Sequence, residues 1–446
     1  ASTATIIMQA IDSINATEAY ITCDVTNTGG TNITATGVCW NTTGTPDLSD
    51  VTSDEGAVSG IFQTSMTGLS AGGTYYVRPY VTNSEGTTYG NEIVFKTTQT
   101  PGAGSEADPY VISSLEELAW LMGNQNVWDQ HFIQTANIDV SASQNWFANK
   151  GFYPIGLQTK MFTGSYNGKG HTIINLNINR PDEKYIGLFG KAYMASFDSI
   201  TLTNVNLVGS GTSVHYLGSV VAYAVSTIIS NCSSSGNITG DSGGGITCFI
   251  DNSIVDGCYS NCTINCSQTG GIVGHADGSS VIKNSNSEGA VNGISYTGGL
   301  VGYLRADSVL NCSSNATVTG ENIYTGGLIG YADNEVYVSN CYTTNNVQGA
   351  DFVGGLFGFL NRDSYVGECY SDGTISGVNY LGGLIGSCGN TSTIINCYSH
   401  SNVTASSARA GGLIGQKGTN TNVYNCYSTG SVSALSSPGG LIGTSY

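Results

Sequence analysis

The chain has 446 residues and carries 13 Lys and Arg against 31 Asp and Glu, which gives a formal net charge of −18. Nucleic-acid binding needs clustered basic side chains, so this balance argues against a nucleic-acid partner. It disfavours anionic membrane surfaces for the same reason. No apolar run reaches the roughly 18 residues of a spanning helix, so we expect no transmembrane segment.

Residues 1–98 contain strand-like runs, among them AYITCDV, GVCWN and TYYVRPYV, at the spacing of a β-sandwich. Tyr75 follows Leu69 by six residues at the start of a strand, as a tyrosine corner requires. Trp40 is expected in the core of this domain. A linker rich in Thr, Pro and Gly is predicted at 99–104.

Residues 105–186 are interpreted as the cap and first coils of the repeat domain that follows. Ser114 precedes Glu117 by three residues, a capping box that predicts the start of a short amphipathic helix. The first coil of a solenoid exposes strand edges and core, and a helix at this point would cover both.

Residues 187–446 repeat one phrase, with copies such as TGGIVGH, TGGLVGY and LGGLIGS. The repeated corner position falls at Gly187, Ser219, Gly245, Gly271, Gly299, Gly327, Gly355, Gly383, Gly412 and Gly440. Successive separations are 32, 26, 26, 28, 28, 28, 28, 29 and 28 residues. Ten copies at so regular a period predict a stacked solenoid.

Two columns of β-branched residues run through the same repeat, one from Ile229 to Val423 and one from Ile238 to Val432. Such residues favour short, half-buried strands. A coil of about 28 residues stacked at about 4.8 Å is typical of a parallel β-helix. The glycine pair is expected at a corner where a Cβ would clash or φ must be positive. The predicted fold is therefore all-β: a β-sandwich, then a parallel β-helix of about ten coils with a short N-terminal capping helix.

An Asn-Cys pair lies between the two columns in most copies, as at Asn311-Cys312 and Asn340-Cys341. The columns are nine residues apart, an odd number, so a bend or bulge is predicted at this pair. Stacked Asn side chains would hydrogen-bond from coil to coil. The thiols are expected to be buried. Disulfides between coils are the alternative, with poor geometry because stacked Cβ atoms point the same way.

The G-G-L-[IV]-G phrase followed by N-C-Y-S resembles the GLUG-motif repeat of bacterial surface proteins. The first domain, with GVCW and GLSAGGTYYVRPYVTNSEGTTYGN, is similar to fibronectin type III-like domains of secreted Bacteroidetes proteins. The resemblance implies an extracytoplasmic, bacterial cell-surface or secreted protein of adhesin-like character. GLUG repeats also accompany immunoglobulin A peptidases, but the HExxH zinc motif of those enzymes is absent from this sequence.

Catalytic candidates are few. The letters GDSGG around Ser242 match the nucleophile segment of trypsin-like proteases, but Gly244 and Gly245 are ordinary repeat glycines and the protease's histidine motif is missing. The histidines are dispersed, which predicts no metal site. Acidic residues recur after the glycine corner, and their expected role is to stabilise turns, where Asp is common. Calcium binding is the weaker alternative, and no other cofactor is expected. These acidic residues are Asp251, Asp277, Asp307, Asp333 and Asp363.

Aromatic columns are the remaining candidates for function. One follows the cysteine position and consists of the predicted ligand-binding residues Tyr259, Tyr342, Tyr370, Tyr398 and Tyr427. A second follows the glycine corner and includes Tyr223, Phe249, Tyr303, Tyr331 and Phe359. Outward-facing tyrosines would suit a sugar or a protein, whereas aromatic stacking alone would serve stability. The sequence therefore favours a non-enzymatic protein that binds a glycan or an extracellular protein. A carbohydrate-active β-helix enzyme and a purely structural stalk are the alternatives.

Overall fold

A computed structural model describes residues 1–14, 18–70, 72–97, 102–209 and 214–446. They form two compact units, 1–133 and 134–446. Residues 99–101 of the predicted linker lie outside the described residues. Both units are built almost entirely of strands, so the prediction of an all-β chain is confirmed.

The first unit contains the predicted β-sandwich. One antiparallel sheet consists of Thr5–Ile14, Glu18–Asn27 and Gly60–Thr67. The other consists of Ile33–Asn41, Val51–Thr52, Thr74–Asn83, Gly86–Tyr89 and Ile93–Lys96. Side chains of both sheets, among them Ile21 and Trp40, share one buried core, as expected for Trp40. The N–H of Ser70 donates to the Tyr75 hydroxyl at 2.8 Å, which confirms the tyrosine corner.

The predicted helix, α1, spans Leu115–Gly123. Strands Tyr110–Ile112 and His131–Gln134 and the 3₁₀ turn Gln125–Val127 flank it in the chain. Ser114 Oγ accepts the Glu117 N–H at 3.2 Å, as the capping box predicts. The reciprocal bond is shifted by one residue, because Glu117 Oε2 accepts the N–H of Ser113 at 2.6 Å. Helix α1 belongs to the first unit, and its covering of the first coil stays a prediction.

The second unit is a parallel solenoid with three faces. After its first strand, Ile138–Asp139, come the 3₁₀ turn Ser141–Asn145 and the turn Trp146–Asn149, in which Phe147 and Ala148 have left-handed backbone conformations. Face A has ten strands: Phe189–Tyr193, Val221–Val225, Thr247–Asp251, Val273–Asp277, Val301–Arg305, Ile329–Asp333, Phe357–Leu360, Ile385–Cys388, Ile414–Lys417 and Ile442–Ser445. From residue 165 onward, face B has ten short strands: Ser165–Asn167, Ser196–Asp198, Ile228–Ser230, Ile254–Asp256, Val281–Lys283, Ser308–Leu310, Tyr337–Ser339, Tyr365–Gly367, Thr393–Ile395 and Asn422–Tyr424.

Face C is the longest sheet and contains up to three strands of each coil. Its strands are Ile138–Asp139, Thr172–Ile174, Asn177–Asn179, Tyr185–Ile186, Thr201–Gly209, Tyr216–Gly218, Ser233–Gly244, Tyr259–Gly270, Asn286–Gly298, Ser313–Ser314, Thr317–Gly326, Tyr342–Thr343, Asn346–Gln348, Asp351–Gly354, Tyr370–Ser371, Thr374–Gly377, Asn379–Gly382, Tyr398–Ser399, Asn402–Ala405, Ala408–Gly411, Tyr427–Ser428, Val432–Ser433 and Ser436–Gly439. Each coil passes through face A, face B and face C in that order and then begins the next coil.

The repeat predicted this stacking correctly. Equivalent residues of successive coils pair in parallel, as Val309 does with Val338 on face B and Val318 with Val347 on face C. These four side chains are buried, because the β-branched columns point into the solenoid. Burial of one such column on each face provides the apolar core that a single coil cannot form alone.

The predicted bend lies at the corner between faces B and C, at the Asn of each Asn-Cys pair. Asn311 and Asn340 have φ values of 54° and 55°, a left-handed conformation that Asn tolerates better than other non-glycine residues. The predicted amide ladder is also present: Asn340 Nδ2 donates to Asn311 Oδ1 at 2.7 Å, and Asn425 repeats the bond to Asn396 at 3.2 Å. The Asn column therefore serves the bend and the stacking of coils at once.

Replacing Asn340 by alanine is expected to lower the free energy of unfolding by about 1–2 kcal/mol, because alanine is strained at positive φ and has no amide. Asn340→Gly keeps the conformation, as Gly257 does at the same position three coils earlier, with φ 64°, and should cost less. Thermal unfolding followed by circular dichroism measures both. Equal losses in the two variants would contradict a role for the backbone conformation.

The corner between faces C and A holds the Gly-Gly pair. The second glycine lies against the next coil, so that a Cβ on Gly299 would overlap the Gly327 carbonyl and the Ser314 hydroxyl. Buried hydroxyls of face C reach this corner across the interior: Thr343 Oγ1 donates to the Gly355 carbonyl at 2.9 Å. The steric explanation for the glycines is thus confirmed at this pair. Close approach, not positive φ, is what requires glycine at Gly271, Gly299, Gly327, Gly355, Gly383 and Gly412.

The cysteines that follow the Asn bend are buried thiols, with the last, Cys426, half-buried. Each faces the backbone of its own turn, as Cys312 Sγ does the Leu310 carbonyl at 3.2 Å. Burial raises the pKa of Cys232 and Cys312 well above the ordinary thiol value. All thirteen cysteines are free thiols in the structure, so this column fills a narrow corner.

Candidate functional site

Four of the five predicted tyrosines form one stack on face C, which we call the tyrosine ladder: Tyr342, Tyr370, Tyr398 and Tyr427. Ring centroids lie 5.0, 4.9 and 5.2 Å apart, with planes within 5° of parallel. Tyr342 and Tyr427 are 38% and 49% exposed. Tyr259 is not part of the ladder, because Asn286 and Ser313 occupy the two coils between it and Tyr342. Its hydroxyl instead donates to Glu288 at 2.7 Å.

The tyrosine ladder presents ring edges and hydroxyls to the solvent, since the stacked rings cover one another's faces. The next outward row on the same strands contains Thr344, Asp372 and His400. The row after it is made of amides and hydroxyls, in which Thr374 Oγ1 donates to Asn346 Oδ1 at 2.6 Å. The result is a flat, largely uncharged surface on which a ligand would meet hydrogen-bonding groups at every coil.

A second aromatic stack runs along face A, and we call it the face A column. It contains the predicted Tyr223, Phe249, Tyr303, Tyr331 and Phe359, with His275 completing the series. Neighbouring rings lie 4.3 to 5.4 Å apart. Burial lowers the pKa of His275 to about 4, so this imidazole is neutral at neutral pH. Phenol, phenyl and imidazole rings together form a continuous stack over six coils.

A third stack, the corner column, flanks the face A column where face C meets face A. Its rings are Tyr185, Tyr216, Tyr296, Tyr324, Phe352 and Tyr380. They meet the face A column edge to face, as Tyr296 meets Tyr303 at 5.7 Å and 81°. The corner column is broken for two coils, because Ser242 and Gln268 occupy the positions between Tyr216 and Tyr296.

A cavity of about 330 Å³, which we call the notch, fills this break. Tyr216 lines one end, and the rings of Phe249 and His275 line it from the face A column. Polar groups complete the lining: Asp241, Ser242, Ser267 and Gln268. The sequence drew attention to Asp241 and Ser242 only through the GDSGG letters, and it did not single out Ser267 or Gln268. The signal that marks them is the period of 26 residues on either side of Gly245, against 28 in most later coils.

His215 and Asp241 form a polar pair beside the notch. His215 is fully buried, its Nδ1 lies 2.6 Å from Asp241 Oδ2, and its Nε2 lies 2.8 Å from the Pro181 carbonyl oxygen. The Pro181 carbonyl can only accept, so Nε2 donates to it, and a further proton lies between Nδ1 and Asp241 Oδ2. Because Nε2 is bound to Pro181, this imidazole cannot serve Ser242 as a base. The GDSGG segment is thus a repeat corner, as predicted.

The recurring acidic residues have partners of different kinds. Asp277 pairs with Arg305 Nε at 2.9 Å, Asp333 accepts the Asn361 amide at 2.6 Å, and Asp363 accepts the Thr391 hydroxyl at 2.6 Å. Asp307 is buried and accepts the Ser280 N–H at 2.6 Å. Over the described ranges, no three His, Cys, Asp or Glu side chains are arranged to hold a metal ion. Calcium at these turns stays a prediction.

Comparison with known proteins agrees with the repeat. Residues 265–292 and 293–319 match the family model of the GLUG motif. Halomucin of Haloquadratum walsbyi is 34% identical over 143 residues, which are 31% of this chain and 2% of halomucin. A candidate Gly-rich membrane protein of Evansella cellulosilytica is 37% identical over 91 residues, which are 20% of this chain and 10% of that protein. The chain thus spans a tenth or less of the length of these curated relatives.

Among solved structures, a candidate immunoglobulin A1 protease from Bacteroides ovatus aligns with a TM-score of 0.39 and 16% identity, over 72% of this chain and 86% of that one. Fold and repeat together define the class: an all-β repeat protein with a parallel β-solenoid. Two stretches of the solenoid, 265–292 and 293–319, match the GLUG motif that the sequence resemblance implied. Within the described part of the chain, no helix is long and apolar enough to cross a membrane.

Proposed function

We propose that the protein acts outside the cytoplasm, at a cell surface or secreted, as a non-catalytic protein that binds an uncharged glycan along face C. The observation that carries this proposal is the tyrosine ladder, in which one partly exposed phenol per coil extends over four coils. The GLUG motifs support the extracytoplasmic location, since the resemblance is to surface proteins.

The chemistry of the tyrosine ladder favours a hydroxyl-rich, neutral ligand. Phenol hydroxyls both donate and accept, and the neighbouring Thr and Asn side chains add further donors and acceptors. Asp372 is the one carboxylate in the row beside the ladder. An anionic polysaccharide would meet a chain whose net charge is −18, which opposes its approach. A regular row of identical groups suits a polymer that repeats, which a glycan does.

The test is binding to immobilised neutral polysaccharides by the double variant Tyr370→Ser, Tyr398→Ser. Serine already stands at this register in Ser313, so the fold should tolerate it. We expect about a tenfold or greater loss of affinity, equivalent to about 1.4 kcal/mol or more. The matched control is Tyr337→Ser, Tyr365→Thr, which removes a stacked pair 4.8 Å apart on face B and should bind as the unaltered protein does.

Three outcomes would contradict the proposal. Equal binding by the two double variants would remove the tyrosine ladder from the interaction. Retention of an extracellular matrix protein with no polysaccharide bound would replace the glycan by a protein partner. Release of shortened sugars from a polysaccharide would make the protein a carbohydrate-active enzyme.

A further inference from the structure

We propose that the notch is a separate binding site for one uncharged pyranose residue. It is distinct from the tyrosine ladder, because it lies where faces C and A meet and is lined by Tyr216, Phe249 and His275. The site goes beyond the function proposed above and does not depend on it.

The first argument is that the break in the corner column is built into the backbone. In the 28-residue coils, Tyr296 and Tyr324 sit in a left-handed bend at φ 52° and 63°. Register between Tyr259–Gly270 and Asn286–Gly298 shifts after Cys266, where the shorter coil has one residue fewer. Two short coils thus carry Ser242 and Gln268 in place of rings. Tyr216 and Tyr296 end up three coil steps apart, about 14 Å at the strand spacing.

The second argument is the ring surface of Tyr216 that this break leaves without a neighbouring ring. Inside an unbroken stack each ring face is covered by the next ring. Tyr216 stacks on Tyr185 on one side at 5.8 Å, and the residue that would cover its other side is Ser242. Phe249 stands nearly perpendicular to it, at 6.2 Å and 78°. The uncovered side of Tyr216, next to the half-buried Phe249, accepts the apolar face of a sugar.

The third argument is a carboxylate held in position. Asp241 Oδ2 lies in a 2.6 Å hydrogen bond with ring Nδ1 of His215 and accepts the backbone N–H of the same residue at 3.1 Å. Both hydrogen bonds that the described residues make to this carboxylate involve Oδ2, so Oδ1 is available to a ligand. A carboxylate, the hydroxyls of Ser242 and Ser267 and the amide of Gln268 can together satisfy several sugar hydroxyls.

Charge and size decide between ligand classes. His215 donates from Nε2 and shares a second proton with Asp241, so the two groups together carry no net charge, and His275 is neutral; the lining therefore offers no excess charge to an ammonium or an acid. The volume of about 330 Å³ is at the small end of ligand sites. An uncharged ring that carries several hydroxyls is the ligand class that these features fit.

The experiment is saturation-transfer NMR with methyl glucoside, galactoside, mannoside and N-acetylglucosaminide, and with choline as a cationic probe. We expect at least one methyl glycoside to bind with a Kd of about 1 mM or lower, which corresponds to a binding free energy of about 4 kcal/mol. Gln268→Tyr restores a ring to the break and should weaken this binding at least about tenfold. Ser242→Tyr fills the notch from the neighbouring coil and should weaken binding in the same way. Thermal unfolding checks that each variant is folded.

The control is Gln416→Tyr, which adds a tyrosine at the end of face A beside Ser387, far from the notch in sequence and coil number. It should bind the methyl glycosides as the unaltered protein does, and so should the Tyr370→Ser, Tyr398→Ser variant. Failure of all four glycosides to bind overturns the proposal. So does undiminished binding by Gln268→Tyr and Ser242→Tyr, or binding of choline alone.

Discussion

Replacing Gly299 by alanine is expected to destabilise the solenoid by more than about 3 kcal/mol, the range of severe overpacking. The new methyl group would overlap two atoms that cannot easily move: the Gly327 carbonyl oxygen and the buried Ser314 hydroxyl. The Gly327 carbonyl belongs to the stacked backbone of the next coil, so relieving the clash means separating two coils. Thermal unfolding followed by far-ultraviolet circular dichroism measures the loss as a lower midpoint.

Gly440 provides a matched control, because it is the same corner position in the last coil of this chain and no atom lies within 4 Å of the Cβ it would carry. Gly440→Ala should leave the midpoint within experimental error or raise it slightly, since alanine restricts the unfolded chain. If Gly299→Ala unfolded at the same midpoint as Gly440→Ala, close backbone approach would not be the reason for the repeated glycine.

Much of this fold could be predicted from the sequence because a repeat reveals burial directly. Val309 and Val318 recur as β-branched residues in coil after coil, and a position that stays apolar through a solenoid must face its interior. The bend at Asn was predicted because the two β-branched columns are nine residues apart, and an odd spacing requires a break in the alternation of side chains. The bond from Thr343 to the Gly355 carbonyl did not follow, because it crosses the interior between two corners twelve residues apart.

The tyrosine ladder was predicted only in part. Tyr259 shares its position after a cysteine with Tyr342, and the sequence therefore grouped the two. A stack needs a ring in every coil, however, and Asn286 and Ser313 stand at this register in between. Counting the coils without a ring, as well as those with one, separates Tyr259 from the ladder.

The notch could not be predicted from residue types alone. Its signal was the period of 26 residues, which also separates His215 from Asp241 and places them in adjacent coils. Which residue is missing from a shorter coil depends on the backbone conformation. The left-handed bend at Tyr296, which the shorter coils lack, has no obvious mark in the sequence. A departure from a constant period is therefore a useful place to look for a site in a solenoid.

The contribution of Asp307 to the stability of the folded protein should fall as pH rises from about 4 to 7. Burial first, and then the negative charges of Asp277 and Asp251, raise the pKa of Asp307 to about 7, from 3.8. In this window the unfolded chain releases the proton and the folded protein keeps it, so each pH unit costs up to about 1.4 kcal/mol. Below pH 4 both states are protonated, and above pH 7 both are ionised, so the loss is complete there.

Asp307→Ser should remove this loss, because Ser253, Ser280 and Ser364 occupy the same corner in other coils. The variant should match the unaltered protein near pH 4 and exceed it at pH 8 by an amount on the order of 3 kcal/mol. Thermal midpoints between pH 4 and 8 measure the difference, in which contributions common to both proteins, such as that of His275, cancel.

Asp372→Ser is the control, since it removes a carboxylate that is exposed on face C, and its profile should run parallel to that of the unaltered protein. The same parallel behaviour in Asp307→Ser would contradict the argument. The Asp307 carboxylate would then be ionised at little cost, although its Oδ2 is buried without a hydrogen-bond partner. Since a buried carboxylate is expensive unless something neutralises it, that result would require a counter-charge at this oxygen, and stabilisation by added calcium would identify it.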